Sequence, residues 1–234
     1  MSFTLEKVVL WGRSFDEYVA MFSLTEHDLT KKILGCGDGP ASFNSELTEQ
    51  GGSVKSVDPI YQFSAKEIEE RIRATYPMVI EQTRNNHDEF VWNNIASVEE
   101  LGRIRMAAMT KFLKDYLTGG ERYINAELPA LPFKERYFDI ALSSHFLFLY
   151  SELFSFDFHL QSVKELCRVA KEARIFPLLE LGAKKSRHLL EVVRVLKEDG
   201  YECEIKKVDY EFQKGGNQML RVKSSNNGRR YILY

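Results

Sequence analysis

The chain has 234 residues, 44% of them hydrophobic, 28% charged and 12% aromatic, a composition that excludes a disordered or low-complexity chain and leaves room for one domain with a substantial insertion. With 32 basic against 34 acidic residues the net charge is −2, which offers no global attraction to a polyanion. Cys36, Cys167 and Cys203 form no CxxC pair, Glu6 and Lys7 stand where a signal peptide needs its apolar run, and the uncharged stretch from Ile140 to Ser151 is too short to span a bilayer; these suggest neither a disulfide framework nor a zinc site, and a reducing cytoplasm with no membrane partner is expected.

Ser14-Phe15-Asp16-Glu17 has capping-box spacing, so a helix is expected from about Ser14 to Phe22, with Tyr18, Met21 and Phe22 on its buried side. Ile33 and Leu34 then end a buried strand and lead into Gly35-Cys36-Gly37-Asp38-Gly39-Pro40. Three alternating glycines between a strand and a helix start let a ligand lie against bare backbone, with helix N–H groups facing an anionic or polar group. The helix should run from about Pro40 to Gln50. A short alternating strand, Ser53 to Val57, delivers Asp58-Pro59, and Asp58 follows Gly39 by nineteen residues. That is where a Rossmann-type fold holds a ribose, although Asp58 before Pro59 also reads as a turn cap. The dinucleotide fingerprint fails because Pro40 stands where its last glycine belongs, which makes NAD the weaker ligand.

Capping boxes at Ser64-Glu67 and Ser97-Glu100 open two more helices, the first ending before Pro77 and the second reaching Gly119-Gly120. Met78 to Trp92 between them reads as partly helical. Arg122 to Ala126 is a short strand, Glu127 to Phe133 a proline-rich turn, and Tyr137 to Leu142 a buried strand ending at Ser143-Ser144-His145. Val163, Leu166, Cys167 and Ala170 mark a helix, Ala173 to Leu181 a strand, and Ser186 to Asp199 a helix closed by Gly200. Tyr201 to Phe212 and Met219 to Val222 form a hairpin around Lys214-Gly215-Gly216-Asn217. Strands alternating with helices and followed by a hairpin imply an α/β fold, a doubly wound, mostly parallel sheet with one antiparallel strand.

In this order, the glycine loop, Asp58, the Ala126-to-Phe133 turn, the Phe138-to-His145 strand and the hairpin resemble a class I S-adenosylmethionine-dependent methyltransferase. The resemblance implies one domain over residues 1–234, with a seven-stranded Rossmann-like sheet and S-adenosylmethionine as cofactor. It implies that Gly35, Cys36, Gly37, Asp38 and Gly39 curl around the methionine part. It further implies that Asp58 and Pro59 hold the ribose, that Glu127 and Leu128 meet the adenine, and that Ser144 adjoins the methyl. The usual carboxylate is missing: Gly35 stands in its place, or Ile33 in the register shifted by two, leaving Asp38 as its substitute. The stretch from Asp58 to Glu127 exceeds one crossover helix, so residues 61–120 are read as containing a helical insertion, a lid or an interaction surface.

His145, just past a buried strand, is the candidate general base, its bland reading being a loop hydrogen bond. Methyl transfer needs alignment above all, so a base is not obligatory. Arg105, Tyr150 and Gln213 are the candidate substrate residues, with His159, Glu211 and Asn217 as further candidates and Arg13 as a partner for the methionine carboxylate. For Phe146, Phe148, Tyr150, Phe154, Phe156 and Phe158, core packing is preferred over an apolar substrate wall, and Cys36 reads as a small filler. The expected activity is methyl transfer to a small-molecule acceptor by in-line displacement, with a homodimer as the candidate assembly. The alternatives are a non-catalytic relative that binds S-adenosylmethionine or a nucleoside, and an RNA or protein methyltransferase; the near-neutral charge and the lack of an NPPY-like motif argue against nucleic acid.

Overall fold

The structure, a computed structural model, describes residues 9–224; Glu6 and Lys7 lie outside them. Ser14 and Glu17 cap each other's backbone at the start of α1 (Phe15–Phe22), as their spacing predicts. A second reciprocal cap, Thr25 with Asp28, opens the short α2 (Glu26–Leu29), which the Glu/Gln form of the pattern overlooks. β1 (Lys32–Cys36) is buried from Ile33 onward, as befits a parallel strand covered on both faces. Alternation divides its side chains: Ile33 packs with Tyr18, Phe22 and Phe43, and Leu34 with Leu166, Ala141 and Ala173 on the other face. Each of the two, fully buried, contributes about 1.5–3 kcal/mol.

α3 (Phe43–Glu49) is shorter than expected, Pro40 and Ala41 remaining in the loop, because the Ser42 hydroxyl donates to Glu46 at 2.6 Å instead of capping the helix. β2 (Ser53–Val57) follows, then a 3-10 turn over Pro59–Gln62. α4 (Ala65–Asn85) does not stop before Pro77 but runs through it. Pro77 and Arg73 are both exposed, so the Arg73 carbonyl that loses its helix donor turns to water instead of being orphaned in a core. α5 (Val98–Tyr116) is capped by Ser97, which accepts from the Glu100 N–H, but the Glu100 carboxylate reaches the Ala96 N–H, leaving the expected third box half made. Gly102 allows the close approach of α4 to α5, since a Cβ there would lie 2.2 Å from the Tyr76 hydroxyl.

β3 (Tyr123–Ile124), β4 (Phe138–Ser144), α6 (Phe156–Val169) and β5 (Ala170–Phe176) come next. The strand expected over Ala173 to Leu181 breaks at Pro177, and Leu179–Glu180 instead forms a small antiparallel ribbon, β6, with β7 (Lys184–Lys185). α7 (Leu189–Glu198) leads to β8 (Tyr201–Lys207) and β9 (Gln218–Ser224). The hairpin exists, but β8 ends five residues earlier than Phe212, and residues 208–217 form a broad loop.

The main sheet has the order β3-β2-β1-β4-β5-β9-β8. Neighbours from β3 to β5 are parallel, and β9 runs antiparallel to both β5 and β8. This is the seven-stranded α/β architecture expected, with α1 and α3 on one face and α6 and α7 on the other. Tyr61, Ile68, Met109, Phe112 and Tyr123 form a separate apolar cluster that seats α4 and α5 beside the β2–β3 edge. Among the described residues, no helix is long and apolar enough to cross a membrane.

Candidate active site

The loops leaving β1, β2 and β4 meet at the carboxyl end of the sheet, where its open crevice favours a ligand. They bound a cavity of about 350 Å³. Gly37 and Gly39 have φ of +68° and +53°, a region costly for other residues. A Cβ on Gly37 would also lie 2.9 Å from the Phe146 ring. The Gly37 N–H donates to Val57 O at 2.9 Å, and the Tyr61 hydroxyl donates to Gly39 O at 2.8 Å.

Asp38 turns back over this loop. It is buried and lines the cavity, and it accepts hydrogen bonds from the Tyr18 hydroxyl at 2.8 Å and the Ser56 hydroxyl at 2.6 Å. Burial pushes its carboxyl up to about 7 against the pull of these two donors. Gly35 does not line the cavity; it supplies the room into which the Asp38 carboxylate folds. Asp58 accepts from the Gly39 N–H and the Ile60 N–H, both at 2.9 Å, tying the loops after β1 and β2 together. It caps the 3-10 turn, as the turn reading of Asp-Pro expects, and each oxygen keeps a lone pair for a ligand. Burial pushes its carboxyl up to about 6.

Cys36, Pro59, Leu128 and Ser144 line the same cavity, and exposed Glu127 stands at its edge. Burial drives the Cys36 thiol up, consistent with a filler and not a nucleophile. His145 also lines it, with φ at +50° and its N–H donating to Phe176 O at 2.7 Å. Burial, then the charges of Arg13 and Arg105, hold its imidazole well below the ordinary range. It is neutral at physiological pH, free to accept a proton but weakly basic.

Tyr150 and Gln213 face the cavity as well; the Tyr150 hydroxyl accepts from the Val9 N–H at 3.2 Å. Arg105 does not. Its fully buried side chain is ion-paired to Glu17, which also accepts from the Tyr210 hydroxyl at 2.8 Å. Its position among apolar helix residues reflected an internal partner, invisible at a sequence separation of 88 residues. His159 is likewise outside, its ring between the Ser155 and Leu147 carbonyls. Glu211 and Asn217 bond each other within the 208–217 loop. Arg13 lines the cavity and keeps a buried Nε with no hydrogen-bond partner among the described residues.

The aromatic run divides in a way its composition does not announce. Phe148 packs in the core, whereas Phe146, Tyr150, Phe154 and Phe158 line the cavity. Sequence reading also missed Val79 and Thr83 of α4, Leu101 of α5, and Phe90 and Phe212, all on its walls. Phe90 and Phe212 stack at 4.9 Å. Around them the backbone pairs: the Val91 N–H donates to Phe212 O at 2.7 Å and the Lys214 N–H to Glu89 O at 2.9 Å. This joins the segment between α4 and α5 to the β8–β9 loop across the cavity.

No family model matches the chain. The uncharacterized protein MJ0045 of Methanocaldococcus jannaschii is 39% identical over 220 residues, covering 94% of this chain and 97% of that protein. Among solved structures, magnesium protoporphyrin IX methyltransferase from Synechocystis, with S-adenosylmethionine bound, is 13% identical, with a TM-score of 0.48 over 90% of this chain and 78% of its own. A SAM-dependent methyltransferase from Aquifex aeolicus is 16% identical, with a TM-score of 0.43 over 91% of this chain and 88% of its own.

Proposed function

The chain belongs to the same family as MJ0045 of Methanocaldococcus jannaschii, and we propose that its cavity binds S-adenosylmethionine and transfers the methyl group to a small-molecule acceptor. The observation that carries this is Asp58: a half-buried carboxylate at the end of β2, held on the Gly39 and Ile60 N–H groups and facing a cavity floored by bare glycine backbone. In that place it accepts from both ribose hydroxyls. Pro59 and Leu128 give apolar contact to the adenine, and Glu127 meets its edge.

The residues fit the rest of the cofactor. Gly37, Gly39 and Ser144 leave space for the methionine chain, Asp38 takes its ammonium, and the unpartnered Nε of Arg13 takes its carboxylate. Asp38 in the space over Gly35 supports a catalytic protein over a relative that only binds, because the carboxylate missing from the loop's usual position is supplied from within the loop. When bound, S-adenosylmethionine supplies a methyl on a sulfonium, so that an aligned lone pair displaces a neutral thioether. His145 is positioned to receive the acceptor's proton.

The insertion is read as a lid, since α4 and α5 both contribute cavity wall. The cavity of about 350 Å³, with walls from α4, α5 and the loops, favours a small acceptor over RNA or protein. The three free cysteines agree with a cytoplasmic setting. Calorimetry with S-adenosylmethionine and S-adenosylhomocysteine tests the reading: saturable one-to-one binding of both is expected, and folded protein that binds neither overturns it.

A further inference from the structure

His145 lines the cavity with its Nδ1 engaged by Ser144. The Ser144 hydroxyl donates to Met21 Sδ at 3.9 Å and its oxygen lies 3.0 Å from His145 Nδ1. In the tautomer that leaves the Ser144 proton on sulfur, Ser144 accepts from the ring, the imidazole proton sits on Nδ1 and the lone pair on Nε2. Among the described residues no hydrogen bond to Nε2 is found.

The cavity walls are uncharged wherever the insertion and the β8–β9 loop supply them. Val79, Phe90, Leu101 and Phe212 are apolar, and the Thr83 hydroxyl is committed to Val79 O at 2.7 Å, leaving the Gln213 amide as their polar group with no hydrogen bond among the described residues. The charged lining residues, Arg13, Asp38, Asp58 and Glu127, belong to the N-terminal segment and to the loops after β1, β2 and β3. A charged acceptor would thus be desolvated on these walls without a counter-ion.

We propose that the methyl acceptor is an uncharged aromatic compound bearing a hydroxyl, bound with its O–H on His145 Nε2 and its ring against Phe90, Phe212, Val79 and Leu101. This rests on the methyl-transfer reading. A base this weak removes a proton only from a comparatively acidic hydroxyl, and a phenol (~10, as for tyrosine) meets that condition where an aliphatic alcohol does not. In the step, an oxygen lone pair forms the new O–CH3 bond, the S–CH3 pair returns to sulfur as the thioether, and the hydroxyl proton passes to Nε2 and then to water.

The test uses the full chain saturated with S-adenosylhomocysteine, titrated by calorimetry with 2-naphthol, 2-naphthoate and 2-naphthylmethylammonium. Expected is 2-naphthol binding at least about tenfold tighter than either ion, the ratio that ~1.4 kcal/mol gives. His145→Asn, whose side chain tolerates the left-handed backbone, should reduce that preference to about threefold or less. Gln213→Glu on the half-buried loop should weaken 2-naphthol by about fivefold, its added carboxylate being desolvated there. Equal or tighter binding of either ion, no detectable 2-naphthol binding, or a preference unchanged in His145→Asn overturns the acceptor assignment while S-adenosylhomocysteine still binds. Loss of S-adenosylhomocysteine binding by the unaltered protein overturns the donor reading instead, and this proposal with it.

Discussion

The carboxylate of Asp38 lies where the side chain of residue 35 would begin: a Cβ built on Gly35 would stand 1.8 Å from Asp38 Oδ2. The two positions are alternatives for one space. Gly35→Ala should therefore displace Asp38 from Tyr18 and Ser56 and cost about 1–3 kcal/mol by overpacking. With Asp38→Ala already made, Gly35→Ala should cost less than half as much. Urea denaturation of the four proteins of this cycle measures the coupling, and additive costs would show that the residues do not share the space.

Asp58→Ala should weaken S-adenosylhomocysteine by about 100-fold, the loss of two charge-assisted hydrogen bonds at roughly 1.5 kcal/mol each. Calorimetry reads this directly. Unchanged affinity would remove Asp58 from the ribose site.

Two acids of the site give it a pH signature. Burial raises Asp38 to about 7 and Asp58 to about 6, and they repel each other. Since both lie above their unfolded values, the folded ligand-free protein keeps protons that the unfolded chain releases. Their contribution to stability is therefore full below the unfolded range near ~4 and is lost as pH rises through about 6 to about 7. Ligand binding should run the other way, because ribose hydroxyls and an ammonium prefer the ionised acids. Affinity for S-adenosylhomocysteine should rise over the same interval, and a flat profile between about pH 5 and about pH 8 would refute the assignment.

Glu17 is buried, yet Arg105, ahead of Arg13 and Ser14, draws its carboxyl down to about 2. Arg105→Met should leave that carboxylate without its main cation and cost about 3–5 kcal/mol. A thermal melt at neutral pH detects the loss, and an unchanged midpoint would mean that the pair contributes nothing.

Much of this was legible because local chemistry governs it. Ser14 and Ser64 announce their helices through caps that need only four residues, and the Gly35-to-Asp58 spacing places a loop beside an acid wherever two parallel strands are neighbours. What escaped depends on contacts distant in sequence. Arg105 looked available for substrate until Glu17 arrived from another helix. Phe146, Phe154 and Phe158 carry the same pattern as core phenylalanines, and only the path after β4 turns them toward the cavity. The pairing of residues 89–91 with 212–214 uses backbone groups, which every sequence possesses, so no residue type could signal it.

Hydrogen–deuterium exchange should find that pairing. The amides of Val91 and Lys214 should exchange slowly together, and Phe212→Ala should speed both by at least about tenfold if the Phe90 stack stabilises the closed form by ~1.4 kcal/mol. Independent exchange at the two amides would separate the segments.

The same backbone pairing bears on the timing of ligand traffic. On the proposed lid reading, the clasp of two hydrogen bonds beside the cavity, from Val91 to Phe212 and from Lys214 to Glu89, has to open for arrival and for departure alike. To the extent that it gates passage, it slows both rates by one factor, lengthening the stay of a bound molecule while leaving its equilibrium affinity where the cavity walls set it.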